Sequence, residues 1–234
     1  ASDVYKRQKI SWIKGSDYKI RLSAASSGYQ SVLPLSLITR FLSDLVLDNA
    51  NKEDLSIKEK KQIEKEVNKV MNDKSLTDGV KFAMLRNISS RFKYSCFVNI
   101  VEEMELNLYP ESQRSVLFDL LSYANKIELN RLVLTTHSPY VINYLTLAAK
   151  AFLLTQKVSA NETLQERIKE VVPADSAIDP ARLRIYELKD GGVFRLSTYE
   201  GLPSDENFLN IQLGVTNELF DQLLEIEQEF DYKN

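Results

Sequence analysis

Two short apolar runs, residues 96–101 and 131–135, each stop abruptly at polar residues, and a helix-forming stretch lies between them. The first run leads into Glu102-Glu103 and the second into Thr136-His137-Ser138. Short runs of this kind fit buried strands, and buried strands joined through a helix pair in parallel. Pro110 suits the first position of that helix, where a missing N–H costs nothing, and Glu111 beside it favours the positive helix end. Ser138 followed by Pro139 predicts a cap and first turn for a second helix. Strand, helix, strand, helix across residues 96–154 is the sequence form of a parallel βαβ unit. Ligand sites in open α/β sheets gather at the carboxyl ends of the strands, where both polar islands stand.

The flanking segments are read the same way. Residues 18–22 alternate polar and apolar and predict a short strand. Residues 23–31 are small and polar, and an apolar helix follows with Leu33, Leu37, Phe41 and Leu45 on its core face. Pro34 is compatible with that helix only in the first turn, which places the start near residues 28–30. Between Lys52 and Lys74 there are seven lysines and six acids, with Ile63, Val67, Val70 and Met71 at helical spacing. That pattern describes an amphipathic helix with a solvated charged face, or one that touches DNA or a partner. A further helix is expected over residues 81–92. Residues 161–180, polar and with two prolines, read as a loop. Residues 183–188 and 193–198 flank Asp190-Gly191-Gly192, a hairpin signal. An acidic helix over residues 218–230 closes the chain.

Composition narrows the class. Thirty Lys and Arg against 33 Asp and Glu leave a net charge of −3, so no global charge draws the chain to nucleic acid or anionic lipid. Cys96 is the only cysteine, which excludes an intrachain disulfide and points to a reducing compartment. The longest apolar stretch recognised from sequence, residues 141–154, is shorter than the ~20 residues that cross a bilayer. A cytoplasmic protein without a membrane partner is expected. The opening Ala1–Gln8 string lacks hydrophobic periodicity and reads as translated adapter sequence, which makes a truncated reading frame the expectation for the chain's start.

Three islands carry chemistry. Ser26-Ser27-Gly28-Tyr29-Gln30 precedes a helix: a glycine admits close backbone approach, and free N–H groups at the helix start attract an anion. Taken alone it is also an ordinary turn. Glu102-Glu103-Met104-Glu105 follows a buried strand, where carboxylates need a metal, a water or a cation. One or two such carboxylates suit Mg²⁺, and a neighbour can orient and deprotonate water. His137, the only histidine, stands at the end of the next strand.

In this order the islands resemble the ABC-class P-loop ATPases, and within them the soluble branch that includes SMC-type and DNA-repair ATPases, overcoming-lysogenization-defect (OLD) nucleases and predicted phage-defence ATPases. That branch often reads Glu-Glu-Pro-Glu, then Leu-x-Pro and a glutamine; Glu102-Glu103-Met104-Glu105, Leu108-Tyr109-Pro110 and Gln113 occupy those places. The resemblance covers residues 18–145. It implies that Ser26, Ser27, Gly28 and Gln30 belong to the nucleotide-binding signature loop, which faces the γ-phosphate held by the opposite subunit. It further implies that Glu102 positions Mg²⁺ through water, Glu103 polarises the attacking water, and His137 is the switch histidine. ATP and Mg²⁺ are the implied cofactors, and a homodimer or partner ATPase lobe the implied assembly, with a nuclease or DNA as further partners.

The chain departs from the pattern at Tyr29, in place of a second signature glycine, and at Met104, in place of a proline expected to stiffen the turn. No G-x-x-x-x-G-K-[ST] loop occurs, so Walker A is missing. The expected fold is thus α/β, a P-loop NTPase-type parallel sheet core flanked by helices, with a helical insertion and a C-terminal β-hairpin plus helix. Its layout is a non-native segment at 1–17, the C-terminal lobe of the ATPase at 18–155 with the insertion at 48–92, and a hairpin-and-helix extension at 156–234. Two other functions compete with ATP hydrolysis. One is a regulatory subunit that completes a partner's nucleotide site without catalysis. The other is a metal-dependent nuclease using Glu102, Glu103 and Glu105, which lacks a second acidic cluster downstream.

Overall fold

The parallel pairing expected from the two apolar runs organises the centre of the molecule. The computed structural model describes residues 11–51, 57–73, 75–91 and 95–233. Residues 1–10 of the opening segment, residues 52–56, 74 and 92 of the expected insertion, and residues 93, 94 and 234 lie outside the described residues. In chain order the elements begin with a hairpin of β1 (Trp12–Lys14) and β2 (Lys19–Arg21) and continue with α1 (Ser27–Asn51), α2 (Ile57–Met71) and α3 (Asp78–Arg91). Then come β3 (Val98–Val101), α4 (Pro110–Asn125), β4 (Arg131–Leu134), α5 (Pro139–Lys157) and α6 (Glu162–Val171). The chain finishes with β5 (Tyr186–Lys189), β6 (Gly192–Arg195), β7 (Thr198–Tyr199), β8 (Leu202–Pro203) and α7 (Phe208–Lys233).

β3 and β4 are parallel, with Val98 opposite Arg131 and Val101 opposite Leu134, and α4 makes the crossover. The chain is therefore α/β and rich in helix. Its described strands form two-stranded sheets only, so the broad parallel core expected from the resemblance is represented here by this one pair. One face of the pair looks into the core, where Val101 and Met104 meet Leu117 and Leu121 of α4, Val141 and Leu145 of α5, and Val32 and Leu35 of α1. The other face carries Val98, Ile100 and Val133, all exposed.

Several expectations change on contact with the structure. α1 begins at Ser27, and Pro34 lies inside it instead of in the first turn. Proline denies the Gln30 carbonyl its helical donor. Packing downstream holds the helix regardless: Asn99 Nδ2 donates to Thr39 Oγ1 at 3.0 Å, and Val46 is buried. The inward face is accordingly half-buried Val32 and Leu35 with buried Thr39, Ser43 and Val46; of the expected core residues Leu33 and Leu45 are half-buried, whereas Leu37 and Phe41 are exposed. A polar anchor on β3 overrides the apolar periodicity. Ser27–Asp48 of α1 also has the length and composition of a membrane span, which the 141–154 stretch does not; in this fold it packs on α4 and its Asp44 pairs with Lys126 at 3.0 Å.

Residues 162–171, expected as loop, are α6. Asn161 caps it by accepting from the Leu164 N–H, and Leu164, Ile168 and Val172 recur every fourth residue. The β5–β6 turn at Asp190-Gly191 has both residues at positive φ, 51° and 74°, as a two-residue hairpin demands. Glu200-Gly201 makes the same turn between β7 and β8, at 50° and 81°, a second hairpin that the sequence reading missed. Trp12–Lys14, from the stretch set apart at 1–17, pairs with β2 and takes Lys19 and Arg21 against the Trp12 ring. α7 starts at Phe208, ten residues before the acidic stretch expected to form it.

Asp119 on α4 sits close to Asp175. Partial burial, and then repulsion from Asp175, raises its pKa above the ordinary carboxylate value. A raised folded-state pKa means that the ionised form opposes folding, a penalty present at neutral pH and relieved as pH falls through the folded value. Asp119→Asn is expected to raise Tm at pH 7 by a margin that shrinks as the pH is lowered through the carboxylate range, as thermal unfolding across a pH series would show.

Candidate functional site

At the carboxyl edge of the parallel pair the backbone does something uncommon. Glu103 has φ +46°, a left-handed conformation seldom taken by a residue with a side chain, and Asn107 repeats it at +61°. The Glu103 N–H donates to both the carbonyl (3.0 Å) and the hydroxyl (3.2 Å) of Thr135, which continues the β3–β4 ladder past its last formal pair. The loop then closes on itself, Leu106 N–H to Glu103 O and Leu108 N–H to Glu105 O. Met104, which stands where the resembling branch has proline, is buried in the core. Burial of that side chain packs the turn against the core at the position where the branch has proline.

The acidic loop grips the histidine loop at two points. Glu105 Oε1 accepts from the His137 backbone N–H at 2.6 Å, a short charge-assisted bond. Glu103 Oε1 lies 3.5 Å from His137 Nε2, both side chains open to solvent. A third connection runs through neutral groups. The Ser138 hydroxyl donates to Gln113 Oε1 at 2.7 Å, and Gln113 Nε2 donates to the Leu108 carbonyl at 3.0 Å. Ser138 thus occupies the cap position of α5 without capping it, because its hydroxyl is committed to Gln113. Thr136 Oγ1 takes the Ser138 N–H instead.

The Ser26–Gln30 island reaches this loop through one residue. A Cβ built on Gly28 would lie 2.9 Å from the Asn107 carbonyl oxygen and 3.2 Å from Leu108 Cδ2, so only glycine admits the contact. Ser26 and Ser27 are exposed at the start of α1, with their carbonyls accepting from Gln30 N–H and the Ser31 hydroxyl. Gln30 turns its amide back onto the Ala25 carbonyl at 2.8 Å. Among the described residues no hydrogen bond or ion pair joins Ser26, Ser27 or Gln30 side chains to Glu103 or His137. Glu102 is exposed beside Glu103. Asn107 joins the site on structural grounds, its one sequence signal being the tolerance of asparagine for left-handed backbone; Thr135 opens the Thr135-Thr136-His137-Ser138-Pro139 island and gains a role by accepting the Glu103 N–H.

The donor set fits part of a nucleotide-metal site. Among the described residues no three or more His, Cys, Asp or Glu converge on one point. A single exposed carboxylate at a strand end suits Mg²⁺, which keeps most of its waters and takes phosphate oxygens. Nothing in the chain offers a glycine-rich cradle for the nucleotide's phosphates. Comparison with known proteins gives no further identification: no protein-family model, no curated protein and no solved structure matches the chain significantly.

Two substitutions test this geometry. Gly28→Ala forces the Asn107 carbonyl or α1 to move and is expected to cost about 1–3 kcal/mol despite the better helix propensity of alanine, measured by urea unfolding. Glu105→Ala removes a charged acceptor from the His137 N–H and is expected to cost about 1.5–3 kcal/mol, with Glu105→Gln recovering part of the loss.

Proposed function

We propose that this chain supplies the signature, Walker B and switch-histidine elements of an ABC-class ATPase acting as a head-to-tail dimer, in DNA repair or phage defence in the cytoplasm. The observation that carries this reading is the meeting of Glu103 and His137, 3.5 Å apart, at the carboxyl ends of two adjacent parallel strands. Phosphoryl transfer asks a protein mainly for position and charge, and this edge offers both.

In this reading Glu102 would hold Mg²⁺ through water, and the bound ion would supply neutralising charge to the phosphates. Glu103 orients the attacking water and accepts its proton, with its carboxylate aimed by the left-handed turn and by Thr135. His137 sits across from it, its backbone fixed by Glu105, and donates toward the terminal phosphate. Ser26, Ser27 and Gly28 present the start of α1 to the nucleotide of an opposing subunit, and Gln30 braces that loop from within. The contact of Gly28 with Asn107 then links the loop offered to the opposing subunit with the loop that carries the chain's own base.

A second reading is a regulatory subunit that offers Ser27 and Gly28, exposed or half-exposed at the start of α1, to a nucleotide held by a partner and hydrolyses nothing alone. The nuclease reading has less support, because Glu105 Oε1 accepts the His137 N–H and, among the described residues, Glu102, Glu103 and Glu105 do not form a metal-ligating group. The discriminating experiment uses the native assembly purified from its source. Its ATP turnover should fall by about 10²–10⁴-fold in Glu103→Gln, while ATP-dependent association persists. Undiminished turnover in that variant would reject the role given to Glu103 and favour the regulatory reading, in which the partner's own residues act on the nucleotide.

A further inference from the structure

Past Val215 every residue of α7 whose side chain is described is exposed. Leu219, Phe220, Leu223 and Ile226 are 55–64% exposed. Leu219, Leu223 and Ile226 follow the four-three spacing that lines an interhelical seam. Along one flank of that stripe run Glu218, Asp221, Glu225 and Glu229, separated by three, four and four residues. α7 as a whole has six acids against one lysine. A second α7 would therefore meet this helix with like charge, which argues against self-pairing and selects a basic helix.

The chain contains such a helix. On α2, Lys58, Lys61, Lys65 and Lys69 recur at the same three, four and four spacing, all exposed on one face. Glu59, Glu64 and Glu66 fall off that face, and residues 57–91 hold nine Lys or Arg against five Asp or Glu. α2 buries Val70 while Met71 turns outward, and it packs on α3, where Val80 and Met84 are exposed one turn apart and Phe82 is exposed on another side. Asp73 fixes the turn between the two helices by accepting from the Ser75 N–H and hydroxyl, bonds that hold its pKa below the ordinary value. The hairpin so formed offers both a lysine stripe and apolar side chains.

We propose that α7 of one copy docks on the α2–α3 hairpin of a second copy, reciprocally, with the acid stripe along the lysine stripe and the Leu219–Ile226 seam on the exposed apolar residues of α3. The matched charge spacing commits the occupant to this chain's own hairpin. Own-chain docking is disfavoured, since both stripes are exposed within one copy. Nucleotide has no part in the contact, so the pairing and the ATPase reading stand or fall separately.

The test uses the full chain without nucleotide, by sedimentation equilibrium across concentration and salt. A dimer that weakens as salt rises is expected. E218K/D221K/E225K and K58E/K61E/K65E should each weaken it by about tenfold or more. Mixing the two variants should restore a dimer of wild-type strength, because each reversed stripe then meets its complement. Circular dichroism unchanged from wild type would show that both variants fold. A monomer at all concentrations, a dimer indifferent to the reversals, or no rescue on mixing would each overturn the proposal. So would lysine reversals that only abolish binding to duplex DNA.

Discussion

Four residues of parallel ladder, Val98–Val101 against Arg131–Leu134, decide where the chemistry of this chain can lie. A parallel register makes both strands run out at the same edge, so the polar segments that follow them must be neighbours. Thr135 then lengthens the ladder by one unorthodox step, taking the Glu103 N–H with both its oxygens. Everything else at this edge is arranged around that step. The turn at Glu103 directs one carboxylate outward toward His137, Met104 pins the turn from below, and Glu105 returns to hold the histidine's own backbone.

The edge is cross-braced as well as paired. Gln113 reaches forward to Leu108 and across to Ser138, so one side chain of α4 spans both loops. Its two neutral bonds are buried or partly buried, where a broken partner is expensive. Gly28 adds a third body, since α1 rests on the Asn107 carbonyl at a distance no side chain would allow. The acidic loop is thus held by its strand, by α4 and by α1 at once.

How far this was legible in the sequence depends on which force governs each residue. The βαβ unit was readable because length, apolar run and proline-led helix starts all agree. The β5–β6 turn was readable because Asp190-Gly191 has few conformational alternatives. α1 was misread where polar pairing beat periodicity: Thr39 is buried because Asn99 waits for it, a partner sixty residues away that no local window contains. α6 is hidden by its polar composition and the two prolines that follow it, although Asn161 caps it and its apolar residues repeat every fourth position. Within the site, Glu103 and His137 were identified by their places after strands, but their contact, the bond from Glu105, and the diversion of Ser138 from its cap all depend on tertiary register. The absence of a glycine-rich phosphate cradle was visible from sequence alone.

His137 is exposed over most of its surface and faces Glu103 across the two loops. It is also the only imidazole in the chain. Every ring-carbon proton signal of histidine character in a spectrum of this protein therefore originates from one place, the gap between the acidic loop and the start of α5. The fold has a built-in reporter at its most informative position, and occupancy of that gap can be followed there without a label.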